Sequence, residues 1–216
     1  MITKTLLCLA ALAAGAATSM AQSNVYSLNV VGYINVTIPA GQYSMIANQL
    51  NTTNNTLASL IPTAPDGTVF YKYSGSGYTI STYDELTPGW LPDGNSTLNP
   101  GEGGFILNKS ASPLTITFVG EVMQGTLTNS LPTGYAIRSS IVPQAGTLTT
   151  LGLDSTVVED GDNLYVYNNG YTIYNYDALT PGWLPSEPTI NVGQSFFYLK
   201  PPTSTKHTWT RTFTVQ

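Results

Sequence analysis

Tyr83-Asp84-Glu85-Leu86-Thr87-Pro88-Gly89-Trp90-Leu91-Pro92 returns 93 positions later as Tyr176-Asp177-Ala178-Leu179-Thr180-Pro181-Gly182-Trp183-Leu184-Pro185. Only Glu85, answered by Ala178, differs. The chain therefore reads as two copies of one unit. Asp84 and Asp177 are placed to accept a backbone N–H two residues on, as Asx turns. Thr87-Pro88-Gly89-Trp90 has Pro second and Gly third, the pattern of a type II turn. Pro92 favours an extended Leu91. Trp90 and Leu91 should then point to opposite sides, as strand neighbours do. Trp90 and Trp183 are expected inward, because both copies keep the whole corner and a stacking platform would need only the ring.

Short strand signals surround this corner in the same order in each copy. Val25 to Ile38 reads as a strand region, Pro39-Ala40-Gly41 as a turn and Tyr43 to Leu50 as a second strand, matched later by Pro132-Thr133-Gly134 and Tyr135 to Val142. Thr56 to Ile61 and Thr147 to Leu151 each suggest one helical turn with a hydroxyl cap. Val69 to Tyr73 and Tyr78 to Tyr83 flank Ser74-Gly75-Ser76-Gly77 as a hairpin, and Leu164 to Tyr167 and Tyr171 to Tyr176 flank Asn168-Asn169-Gly170. Alternation puts Tyr71 and Tyr73 on one face and Lys72 on the other; Tyr165, Tyr167 and Val166 follow the same rule. Gly104 to Leu107 and Leu114 to Val119 complete the first copy; Phe196 to Leu199 and Trp209 to Val215 complete the second. The predicted fold is all-β: two homologous β-sandwich or barrel-like repeat units in tandem, each with at most a short helical turn. Val31-Gly32-Tyr33-Ile34 aligns with Val119-Gly120-Glu121-Val122. That match places unit one at 22–119 and unit two at 120–216, with no linker between them.

Met1 to Ala21 reads as a signal peptide: Lys4 is the basic region, Leu6 to Ala17 the apolar run and Ser19-Met20-Ala21 the cleavage site. The run is too short to span a bilayer. Cys8, the one cysteine, is read as leaving with the signal, because Leu7 stands where a lipobox needs a small residue. The remaining chain then has neither disulfides nor thiolate metal sites. Charged residues are only 9% of the 216, against ~25% in ordinary soluble domains. With seven basic and twelve acidic residues there is no basic patch, so nucleic acid is not an expected partner. Low charge suits self-association.

Val31-Gly32-Tyr33-x-Asn35-Val36-Thr37-x-Pro39-Ala40-Gly41, Ile46-Ala47-Asn48 and Leu98-Asn99-Pro100-Gly101-Glu102-Gly103 together resemble a family of uncharacterised exported β-repeat proteins of free-living Gram-negative bacteria. The second copy departs from the motif, with Val192 for the Pro and Ser195 for the last Gly. The resemblance implies export and a β fold. It carries over no activity, cofactor or site residue.

Candidate chemistry is sparse. His207, the single histidine, lacks a recurring nucleophile partner. Glu159-Asp160-Gly161-Asp162-Asn163 is oxygen-rich, but its spacing is not that of an EF-hand, and a solvated turn is the simpler reading. Asp84, Asp177, Asp66 and Asp160 recur in both copies and could pair for glycoside hydrolysis; turn formation explains them more simply. The Asn-x-Ser/Thr matches are compositional. An outer-membrane barrel would need longer alternating strands. The aromatics Tyr71, Tyr73, Trp90, Tyr165, Tyr167 and Trp183 form the candidate binding or structural set. They either fill a core or stack on a ligand. The expected function is that of a secreted or cell-envelope protein, non-enzymatic and without cofactor or metal, acting through contacts with a glycan or another surface protein. A carbohydrate-binding module is the alternative and a glycoside hydrolase the third reading.

Overall fold

A computed structural model describes residues 30–215; the signal-peptide reading of residues 1–21 lies outside them. The fold is all-β and sandwich-like. In chain order the elements are β1 (Val31–Ile38), β2 (Tyr43–Ile46), α1 (Leu57–Leu60), β3 (Val69–Tyr73), β4 (Tyr78–Asp84), β5 (Gly89–Leu91), β6 (Gly104–Leu107), β7 (Leu114–Glu121) and β8 (Gly125–Ser130). Then come β9 (Gly134–Arg138), β10 (Gly146–Thr147), β11 (Asn163–Tyr167), β12 (Tyr171–Asp177), β13 (Gly182–Leu184), β14 (Thr189–Ile190), β15 (Phe196–Lys200) and β16 (Thr208–Phe213).

Two antiparallel five-stranded sheets carry the molecule. One has the order β2-β6-β3-β4-β5 and the other β9-β15-β11-β12-β13. These orders coincide if β2 answers β9, β6 answers β15 and each later strand its partner. A two-stranded ribbon covers one face of each sheet. β1 and β7 pair over the first, β8 and β16 over the second.

Each ribbon and its sheet enclose one core. Ile34, Ile38, Ile116 and Phe118 of the first ribbon meet Ile46, Phe70, Tyr83, Trp90 and Ile106 of the first sheet. In the second core Trp209 meets Leu164, Tyr176, Trp183, Phe196 and Tyr198. Burying a side chain of this size stabilises by ~1.5–3 kcal/mol. Strand alternation sends the intervening residues to the opposite face of each sheet. There Met45, Phe105, Ile137 and Phe197 form a third cluster, which joins the two sheets.

Two equivalent backbone bridges hold that junction, Ile46 with Gln194 and Glu102 with Arg138. Between them Gly103 meets Ser195. A Cβ built on Gly103 would lie 2.3 Å from Ser195 Cβ. The two residues occupy corresponding places in the two sheets, and only one of them has room for a side chain. That contact accounts for glycine at 103 opposite Ser195.

Several local expectations change. Gly89 pairs with Asp84 inside the ladder and has no positive φ, so Thr87-Pro88-Gly89-Trp90 is not a type II turn. The loop is Glu85 to Pro88, and Asp84 closes it early: Oδ1 accepts the N–H groups of Leu86 and Thr87, and Oδ2 the Thr87 hydroxyl. Leu91–Pro92 and Leu184–Pro185 are both cis. The second strand stops at Ile46, because Asn48 turns the chain by accepting from the Leu50 N–H and donating to the Leu98 carbonyl. α1 forms without a side-chain cap from Thr56. Leu148 to Gly152 forms only turns, although Thr147 Oγ1 does accept the Thr150 N–H. Position 119 falls inside β7, where Tyr33 pairs with Val119 and Gly32 with Gly120. The two similar segments are hydrogen-bonded neighbours, and the strand before β9 is β8.

Candidate functional site

The six singled-out aromatics divide between two environments. Trp90 and Trp183 each lie inside a core at 4% exposure, while Leu91 and Leu184 stand out at 48% and 47%. The indole N–H of Trp90 donates to the Ile61 carbonyl at 2.8 Å, and that of Trp183 to Leu153 at 3.3 Å. Each indole sits edge-to-face on a tyrosine, Tyr83 or Tyr176, with centroids 5.5 Å apart. The tryptophans fill the cores and offer no ring to a ligand.

Tyr71, Tyr73, Tyr165 and Tyr167 lie on the other faces, packed against the junction cluster. The ring contacts repeat across the junction. Tyr73 meets Phe197 edge-on at 5.3 Å, and Tyr167 meets Phe105 at 5.3 Å. Tyr73 meets Tyr78 at 5.2 Å, and Tyr167 meets Tyr171 at 5.3 Å. Tyr43 tilts on Tyr71 at 5.9 Å, and Tyr135 on Tyr165 at 5.7 Å. Tyr73 and Tyr167 thus each reach from their own sheet to the phenylalanine of the other.

Two open aromatic pockets result. One, about 330 Å³, is lined by Tyr43, Tyr71, Tyr78, Ile80, Phe105, Tyr167 and Tyr171. The other, about 270 Å³, is lined by Tyr73, Tyr135, Tyr165, Tyr171 and Phe197. Each takes most of its rings from one sheet and at least one tyrosine from the other. Burial pushes the hydroxyls of Tyr71 and Tyr165 up to about 12, with the neighbouring Tyr43 and Tyr135 hydroxyls adding to the shift. Tyr171 rises to about 12 for the same first reason. These phenols stay neutral, able to donate and accept.

A polar cleft of about 400 Å³ adjoins the first pocket and shares Tyr43 and Tyr167 with it. Gln42, Asn168, Asn169, Asn191, Gln194, Thr37 and Thr189 contribute to its walls. No charged side chain lines the cleft or either pocket. The arrangement combines apolar ring edges and faces with neutral amides and hydroxyls.

The other candidates have structural partners. Asp66 accepts the Glu85 N–H and Asp160 the Ala178 N–H. Hydrogen bonds from Thr87 and Thr180 hold the carboxyls of Asp84 and Asp177 below the usual range. The His207 ring lies between the carbonyls of Leu131 and Ser204, each at 3.0 Å. The acidic loop is not a solvated turn throughout: Asp162 is fully buried against Lys200 and Tyr198. Glu159 accepts from Thr205 and Lys206. Among the described residues no group of three His, Cys, Asp or Glu could hold a metal ion, and no helix is long and apolar enough to cross a membrane.

Comparison with protein-family models, curated proteins and solved structures found no match. Sequence reasoning missed Tyr43, Tyr135, Phe105 and Phe197 as members of the face. Their signal was the alternation in Tyr43-Ser44-Met45 and Phe196-Phe197-Tyr198, which assigns alternate residues to opposite sides of a sheet. The amides of the cleft come from turns of both halves and carry no periodic signal.

Proposed function

We propose that this chain is an exported, non-enzymatic surface or matrix protein that holds a glycan along its tyrosine face. The observation that carries the reading is the continuity of the first aromatic pocket with an uncharged, amide-lined cleft through Tyr43 and Tyr167. Sugar rings present apolar C–H faces and hydroxyl edges. Tyrosine rings suit the faces, and neutral amides that both donate and accept suit the hydroxyls. Two like pockets side by side suit a ligand built of repeating units. The tandem-unit reading is supported by the ten-residue repeat and by the like strand order of the two sheets. Export is supported by Met1 to Ala21 alone. The turn roles of the recurring carboxylates favour binding over hydrolysis.

A glycan array with the mature protein tests the reading. Binding to neutral polysaccharide that Tyr167→Ala abolishes is the expected result. Binding unaffected by Tyr167→Ala and Tyr43→Ala places the ligand elsewhere and overturns it.

A second reading, contact with another protein, is favoured by Leu86 and Leu179. They stand 93% and 94% exposed at the tips of corresponding hairpins. Replacing both by Ser should then lower self-association in sedimentation, with no change in glycan binding.

A further inference from the structure

Lys200 and Asp162 are both completely buried, with Lys200 Nζ 2.7 Å from Asp162 Oδ2. Two charges without solvent are costly unless every polar atom is partnered. Here one is not. Oδ2 accepts from Lys200, from the Tyr198 hydroxyl at 2.6 Å and from the Glu159 N–H at 2.9 Å, while Oδ1 has no hydrogen-bond partner. A third ionisable group is close, Glu159 Oε2 at 3.7 Å from Nζ. The register places the reacting residues side by side: Asn163 pairs with Leu199, so Asp162 and Lys200 face one another at the next step. The first sheet has Thr68 and Asn108 in the matching places. There Asn108 donates to the carbonyls of Ile38, Pro39 and Ser112. The fold therefore does not require an ion pair at this position.

We propose that Lys200 and Asp162 condense in the folded protein to an amide between Nζ and Cγ, releasing water. One proton passes from the ammonium to the carboxylate and comes to rest on Oδ1, leaving a neutral amine and an acid. The Nζ lone pair attacks Cγ, and the C=O electron pair moves to Oδ2. The Tyr198 hydroxyl and the Glu159 N–H hold that developing charge, as an oxyanion hole does. Glu159 takes the second proton from Nζ and returns it to the Oδ1 hydroxyl, which departs as water while the carbonyl re-forms on Oδ2. Ammonium and carboxylate become amide and water, with no net change in charge and no redox partner. The Thr205 and Lys206 hydrogen bonds hold the Glu159 carboxyl low, at about 2, so it is ionised, and its Oε2 lies 3.7 Å from Nζ. The product also satisfies the site. The unpartnered Oδ1 is gone, Oδ2 keeps its two protein donors, and the new N–H has the Val157 carbonyl, now 3.4 Å from Nζ.

Peptide mapping by mass spectrometry of the denatured full chain decides it. The expected result is one linked species joining the Asp162 and Lys200 peptides, one water lighter than their sum. Lys200→Arg should abolish the link. Asp162→Asn should keep it, with ammonia lost in place of water. Glu159→Gln should slow its appearance. Wild-type protein that is folded yet yields only unlinked peptides of full mass overturns the proposal, as does a link from Lys200 to any other residue. The wild-type map stands even if a variant fails to fold.

Discussion

Replacing Gly103 by Ala tests the junction between the two sheets most directly. The new Cβ would lie 2.3 Å from Ser195 Cβ, 2.5 Å from Ser195 Oγ and 2.6 Å from Ile137 Cγ2. Rotating the Ser195 hydroxyl relieves only one of these overlaps: Ser195 Cβ is fixed to the backbone, and Ile137 is packed in the junction cluster. An inserted methyl in a packed site costs ~1–3 kcal/mol, and three simultaneous overlaps put this one at the upper end. For a chain of this size that is a fall in Tm of ~5–10 °C. Ser195→Gly removes two of the three overlapping atoms. In that background the same substitution should cost clearly less, with a coupling of ~1 kcal/mol or more between the positions. The assay is thermal and urea unfolding of the four proteins of the cycle. Equal losses in both backgrounds would show that Gly103 and Ser195 do not share one space, and the junction as described would be wrong.

Three further outcomes follow from the geometry. Trp90→Ala and Trp183→Ala should each cost ~3–5 kcal/mol as cavities in a packed core, whereas Leu91→Ala should stay within ~0.5 kcal/mol of wild type; mutants that melt alike would refute the inward assignment. Glu159, Asp84 and Asp177 all have carboxyls held below their ordinary values. Their contribution is therefore present above pH ~4.5 and lost as pH falls through the folded values, for Glu159 at about 2. Tm should drop over that window, and less steeply in Asp84→Asn/Asp177→Asn; identical acid profiles would remove the two loops from the account. Tyr43→Ala should weaken glycan binding more than Tyr135→Ala, because only Tyr43 also lines the amide cleft; equal effects measured by calorimetry would argue that the cleft takes no part.

What the chain determined by itself was local. Period-two alternation assigned Tyr71 and Lys72, or Tyr165 and Val166, to opposite faces, because side-chain direction in a strand depends only on the strand. The ten-residue corner made Asp84 and Asp177 turn acceptors and separated Trp90 from Leu91, because those contacts span two or three residues. The turn type failed for a related reason: Pro-Gly signals several turns, and the choice fell to the Asp84 carboxylate and the ladder that draws in Gly89. Only the tertiary structure decided what the second face of each sheet touches. Tyr73 reaches Phe197, Tyr167 reaches Phe105, and Gly103 yields its side-chain space to Ser195, across a junction whose register no single segment encodes. The same holds for Asp162 and Lys200. Each is an ordinary polar residue at the edge of a strand until antiparallel pairing of β11 with β15 sets them side by side and the closed core removes the water from both.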